Sequence, residues 1–240
     1  MIVSHKYRFI FLRTEKTAST SLSDALRPLL GPEDEEATLE RPAWSKYSPI
    51  HHGALKRTFP TVFGPHPHAT AAQARAVVGR RIFDSYFKFA VERNPWERQL
   101  SLYTHREWKK DKGPDNFDRD MRSLWYRNTE YCRLNNWSIY AIGNEIVADK
   151  VYDYGHLDEA VADLCRRFAL GESLPMPRRR RYVEERAHYS AFYSPVTRAL
   201  IARWYRREIE ALHYAFEEAP HYAFEEAPQT PAAEGVRVSA

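Results

Sequence analysis

A chain of 240 residues with 43% hydrophobic and 14% aromatic residues is long enough to enclose a core and too apolar to be a disordered tract. No apolar run approaches the roughly 18 residues of a membrane span. The stretch Tyr7–Leu12 is short, contains Arg8 and lacks the small-residue cleavage site of a leader, so the chain is expected to be soluble and cytoplasmic. Its two cysteines, Cys132 and Cys165, form no Cys-x-x-Cys and are expected to be lone thiols, which disfavours zinc. The net charge of +4 is unevenly spread: residues 217–240 hold five Glu and one Arg, leaving 35 basic against 27 acidic residues in the body, a net +8. A basic body fits an anionic ligand or acceptor, whether nucleotide, acidic glycan or nucleic acid.

In chain order, the apolar run Tyr7–Leu12 predicts a strand, followed by the polar loop Arg13–Ser21. Leu22, Ala25, Leu26 and Leu29 then repeat at helical spacing, with Pro28 disturbing the last turn. Residues 31–65 read as a loop-rich excursion. Thr70 and Gln73 have the spacing of a capping box opening a short helix that stops near Gly79. A second strand, Tyr86–Val91, runs into Glu92-Arg-Asn-Pro95, and Pro95 suits the first turn of a helix faced by Trp96, Leu100 and Tyr103.

Lys109–Arg122 reads as a surface connection and Ile146–Tyr152 as a third strand. Leu157, Ala160, Val161, Leu164, Cys165 and Phe168 mark the cleanest helical face. Pro195–Leu212 is expected to form the final helix. Alternating strands and helices imply an α/β domain with a largely parallel central sheet flanked by helices. The domain is expected to span residues 1–216. Residues 217–240 would be an acidic, mobile tail; the octapeptide His-Tyr-Ala-Phe-Glu-Glu-Ala-Pro occurs twice in tandem, as 213–220 and 221–228.

The loop at 14–21 lies where a strand gives way to a helix, a place where free backbone N–H groups attract anions. Lys16 adds a charge, and Thr17, Ser19, Thr20 and Ser21 add hydroxyls. The loop lacks the glycines of a Walker A motif, there being none before Gly31. By itself it is equally an ordinary Ser/Thr-rich helix cap. Lys16-Thr-Ala-Ser-Thr-Ser21 resembles the 5′-phosphosulfate loop of sulfotransferases that use 3′-phosphoadenosine 5′-phosphosulfate (PAPS), most of all that of heparan sulfate 2-O-sulfotransferases. Phe87–Tyr103, with Glu92-Arg-Asn-Pro-Trp-Glu-Arg-Gln-Leu-Ser101 inside it, resembles their 3′-phosphate strand and helix. The two segments occur in the family's order, and looser similarity extends over most of residues 5–216.

The resemblance implies a P-loop-like sulfotransferase fold and transfer of a sulfuryl group from PAPS to a hydroxyl, with carbohydrate as the acceptor and 3′-phosphoadenosine 5′-phosphate (PAP) as product. It implies that Lys16 holds the phosphosulfate, that Thr17, Ala18, Ser19, Thr20 and Ser21 cradle the 5′-phosphate, and that Arg93 and Ser101 clasp the 3′-phosphate. An arginine fork suits phosphate oxygens; the bland alternative for Arg93 is an ion pair with Glu92 or Glu97. His66-Pro-His68 resembles the family's His-x-His, which implies a histidine base, His68 before His66. An imidazole titrating near pH 6.5 suits the task. Arg178–Arg181 is either solvated surface or a late basic loop; in the family such a loop closes on the nucleotide, which would bring Arg181 to the 3′-phosphate. Two positions depart from the pattern: Glu15, where a proline commonly precedes the lysine, and Glu92, where an apolar residue commonly precedes the arginine.

The chemistry requires no metal, and no nucleic-acid motif or membrane partner is expected. The oligomeric state is not legible. The competing classes are a P-loop-type kinase or NTPase, disfavoured by the missing glycines, and a non-catalytic basic module binding an anionic polymer.

Overall fold

The computed structural model describes residues 1–37, 56–58, 65–107, 116–128, 133–170, 174 and 187–218. Seven short strands fall in this part: β1 (Ile2–Ser4), β2 (Phe9–Phe11), β3 (Glu35–Glu36), β4 (Phe87–Glu92), β5 (Ala141–Ile142), β6 (Glu145–Ile146) and β7 (Lys150–Asp153). Five form the central sheet in the order β3-β1-β2-β4-β7. Its centre is parallel: Phe11 lies opposite Phe89 and Val91 opposite Tyr152. β1 is antiparallel to both its neighbours, β2 and the edge strand β3, and the apolar pattern does not announce it because Ile2–Ser4 is so short.

The pleat decides which residues meet which layer. Phe9, Phe11, Phe89 and Val91 face one side and pack against α1 (Ser19–Leu26) and α8 (Leu157–Phe168) through Leu22, Leu26, Val161, Leu164 and Phe168. Ile10, Leu12 and Ala90 face the other, against α2 (Ala71–Val78), α3 (Arg80–Ser85) and α7 (Trp137–Tyr140). A sheet buried on both faces explains why its strands read as continuous apolar runs. A third cluster joins α4 (Pro95–Glu107) to α9 (Pro195–Trp204) around Trp96, Leu100, Tyr103, Phe117 and Ile201.

The capping box forms as expected, with Thr70 Oγ1 accepting from Gln73 N–H and Gln73 Oε1 accepting from Thr70 N–H. The helix it opens stops at Gly79, whose φ of +81° few other residues tolerate. Pro28 turns the end of α1 into the 3₁₀ segment Arg27–Leu29.

Three expectations need correction. The stretch 146–152 is not one strand: Val147 and Ala148 N–H both donate to Tyr140 C=O, so the chain turns between β6, which pairs with β5, and β7 in the main sheet. The connection 109–122 contains α5 (Phe117–Arg122), because Phe117 and Met121 are buried one turn apart, and α6 (Leu124–Asn128) follows it. The final helix breaks at Tyr205, giving α9 and α10 (Arg206–Leu212). Tyr205 leaves helical geometry, and its hydroxyl donates to Gln99 Oε1 at 2.6 Å and accepts Leu134 N–H at 3.1 Å.

The described part of the first octapeptide, residues 213–218, is docked on the domain. Tyr214 donates to Asp153 at 3.0 Å, Ala215 C=O accepts from Asn94 at 2.8 Å, and Phe216 packs against Trp96, Tyr189 and Tyr193. These contacts run on through Glu217 and Glu218 to Tyr189 and Arg198. The second octapeptide lies outside the described residues.

Candidate active site

Strands β2 and β4 are parallel neighbours, so their carboxyl ends and the loops that follow emerge side by side, where ligands bind in open α/β sheets. The first loop is stapled to the second strand: Leu12 N–H donates to Phe89 C=O at 2.8 Å, and the Thr14 hydroxyl donates to Val91 C=O. Lys16 and Ala18 both take left-handed conformations, with φ of 64° and 55°. Each costs roughly 1–2 kcal/mol in a residue bearing a Cβ, so the surrounding contacts must impose this course on a loop without glycine.

Ala18 is the residue before α1 and offers no side-chain cap, and the first turn holds no acidic residue. The helix therefore presents an open positive end. Ser19 is buried, Thr20 exposed and Ser21 half-buried. The Thr17 hydroxyl is not directed outward: it is buried and hydrogen-bonded with Thr14 Oγ1 at 2.7 Å.

Arg93 follows β4 directly. Its Nη1 donates to Lys16 C=O at 3.4 Å, its guanidinium lies 4.4 Å from the Tyr154 ring centre, and its Nη2 pairs with Glu97. The ion pair weighed from sequence is thus present with Glu97. Arg93 Nε is nonetheless buried without a partner among the described residues, which fits an anion arriving at that edge. Ser101 is half-buried on α4, two turns into the helix. Arg181 lies outside the described residues.

The two histidines approach the same loop. His68 Nδ1 is 2.8 Å from Arg13 C=O. A carbonyl only accepts, so Nδ1 carries the proton and Nε2 keeps its lone pair. His66 is opposite: its Nδ1 accepts His68 N–H at 3.0 Å, which leaves the proton of the neutral ring on Nε2. Burial pushes both imidazoles down to about 4; the Arg57 cation adds to this at His66, and the N-terminal amine, Arg13 and Arg57 add to it at His68. Both rings are neutral at physiological pH.

Glu92 points into the core. It is fully buried, Arg98 Nη1 lies 2.5 Å from its Oε1, and Arg98 Nη2 reaches Glu208 at 3.4 Å. Burial works against the Arg98 charge, but the two carboxylates outweigh it and push its pKa up. Burial raises Glu208, against the pull of Arg98. The carboxylate of Glu15 turns toward Arg57, 3.5 Å away. Both line a cleft of about 980 Å³ that is also lined by Arg133, Trp204, Arg203 and Arg207. Arg133 lies 4.8 Å over the Trp204 ring. Arg203 and Arg207 are exposed.

Sequence reasoning missed this cleft and also Asn136, whose fully buried carboxamide contacts both site segments. Neither carries a local motif, since the cleft gathers residues from four separated segments.

Over 99 residues the chain is 30% identical to an "Uncharacterized protein" of Archaeoglobus fulgidus, an overlap of 40% of this chain and 79% of that relative. No solved structure matches the chain. The family model described as the sulfotransferase family matches residues 1–215, and the chain belongs to that family of PAPS-dependent sulfotransferases.

Proposed function

We propose that the chain transfers the sulfuryl group of PAPS to a hydroxyl of an anionic carbohydrate, with the nucleotide across the ends of β2 and β4 and the acceptor in the arginine-lined cleft. The observation that carries this reading is the convergence of the Lys16 loop, Arg93 and His68 on one sheet edge. Lys16, with the N–H groups opening α1, would hold the phosphosulfate. Arg93, and Ser101 on the adjoining helix, would receive the 3′-phosphate. Arg181 belongs to the same proposal through the resemblance alone.

The acceptor oxygen attacks sulfur as the bond from sulfur to the bridging phosphate oxygen breaks, leaving PAP. Such transfers pass through a loose, in-line transition state stabilised by positioning and fixed positive charge. Lys16 would neutralise the charge gathering on the leaving phosphate. The acceptor proton would pass to His68 Nε2, the nitrogen left free by the bond to Arg13. His66 presents N–H instead at Nε2 and suits hydrogen bonding to the sulfuryl or acceptor oxygen. The cleft supports the acceptor assignment because Glu15 and Arg57 line it and also act electrostatically on His66. Its arginines match carboxylate or sulfate groups on a sugar chain.

The test is transfer of label from radiolabelled PAPS to acidic and neutral oligosaccharides. Label on the acidic acceptors, lost from them in Arg203→Ala/Arg207→Ala with PAPS binding intact, is expected. Equal labelling of neutral acceptors by both proteins would remove the cleft from acceptor recognition.

A further inference from the structure

Asn136 immediately precedes α7, where an asparagine side chain ordinarily caps the helix. It does not do so here. The preceding residue takes that duty, Asn135 Oδ1 accepting Ser138 N–H at 3.3 Å. The Asn136 carboxamide is buried and turned the other way. Its Oδ1 accepts Glu15 N–H at 3.0 Å, and its Nδ2 donates to Glu15 C=O at 3.0 Å. A side-chain amide that engages both backbone groups of one residue pairs with it as a neighbouring strand would.

The remaining Nδ2 hydrogen reaches Glu92 Oε1 at 3.2 Å. That same oxygen accepts Arg93 N–H at 2.8 Å and faces Arg98 Nη1. One side chain, 121 residues from Glu15 and 44 from Glu92, thus ties the residue before Lys16 to the residue before Arg93. Buried Arg98, held on its other edge by Glu208, anchors the tie in the core. The two departures from the family pattern, Glu15 and Glu92, are the two residues it joins.

We propose that Asn136 is a positioning residue for the nucleotide: it fixes the separation between the Lys16 loop and Arg93, and so the span between the 5′- and 3′-phosphate sites. This rests on the reading of those two segments as the PAPS site. The left-handed backbone at Lys16 and Ala18 persists only where the surroundings over-determine it, and the clasp fixes the peptide groups of the residue directly before it. A ligand gripped at both ends needs both sites at the right distance; a ligand gripped at one end does not.

The experiment measures affinities of the full chain and its Asn136→Ala variant for PAP, which carries both phosphates, and for adenosine 5′-monophosphate, which carries one. Hydrogen exchange at the Glu15 and Lys16 amides is followed in parallel. The variant is expected to lose PAP affinity by about tenfold or more, to hold the monophosphate nearly as well as the wild type, and to exchange the Glu15 amide faster. Asn136→Gln keeps a buried amide but displaces it by one methylene. It should show the same loss of discrimination, and it serves if the alanine variant does not fold. An equal drop for both ligands would show a merely structural role, and an unchanged ratio with unchanged exchange would show no role; either overturns the proposal. A wild type that does not prefer PAP over the monophosphate would remove the PAPS-site reading, and the positioning role with it. Faster Glu15 exchange in the variant would still register the clasp in that case, so the two failures are distinguishable.

Discussion

The guanidinium of Arg93 donates to the backbone carbonyl of Lys16 across 3.4 Å, linking loops that are 77 residues apart in sequence. This contact carries the two motifs legible in the sequence into one site. It also places the cation expected to meet the 3′-phosphate beside the backbone of the residue expected to meet the phosphosulfate. The first consequences concern those two side chains.

Lys16→Ala should lower kcat by about 10²–10³-fold, the scale of losing one preorganised group that stabilises developing charge. Its melting temperature should stay close to wild type, because Lys16 is only half-buried, on a loop. Steady-state kinetics and a thermal melt check both. Near-normal kcat in a folded variant would take the loop out of the chemistry.

Arg93→Ala should reduce the preference for PAPS over adenosine 5′-phosphosulfate, which lacks the 3′-phosphate, by roughly 10- to 150-fold, the range of a charged hydrogen bond. The ratio of kcat/KM for the two donors measures this. Equal use of both donors by the wild type would show that no 3′-phosphate site operates.

His68→Ala should cost about 10²–10⁴-fold in kcat with PAP affinity retained. The acidic limb of the wild-type kcat/KM profile, which reports the free enzyme, should lie near pH 4 rather than 6.5, since burial holds the ring at about 4. Stability follows the same sign. The native state holds both imidazoles neutral, so their contribution is complete above about pH 6.5. It is lost as pH falls toward 4, where the unfolded chain binds protons that the folded chain does not. Urea melts at pH 7.5 and 5 should show this loss, and His66→Gln/His68→Gln should reduce it.

Arg98→Ala should destabilise the fold by about 3–5 kcal/mol, because it strands Glu92 and Glu208 as buried carboxylates. Arg27→Ala, at an exposed arginine paired with Asp24 and Glu36, should cost no more than about 1 kcal/mol. Denaturant melts of the two variants should separate them clearly.

The parts of the fold that were legible share one property: their determinants are close in sequence. The capping box at Thr70 and Gln73, the helical face from Leu157 to Phe168, and the strand-to-helix turns at Lys16 and Arg93 are each set within about a dozen residues. What escaped depends on distant partners. β1 is too short to announce itself and takes its second partner from the distant β3, and the break at Tyr205 answers to Gln99 and Leu134. Asn136 carries no signal in the sequence because only the folded chain brings Glu15 and Glu92 to it. Arg57, Arg133 and Arg203 could not be read as one cleft for the same reason. Glu92 reads from sequence only as a departure from the family pattern; the fold shows Arg98 and Asn136 holding its carboxylate in the core.

The most direct measurement is calorimetric titration of the purified chain with PAP, beside ATP with Mg²⁺, and with the corresponding thermal melts. The expected result is a single PAP site that raises the melting temperature by mass action, weakened in Arg93→Ala and Lys16→Ala, with no comparable binding of ATP with Mg²⁺. Absence of PAP binding to the folded wild type, or PAP binding unchanged in both variants, would contradict a nucleotide site built on the ends of β2 and β4.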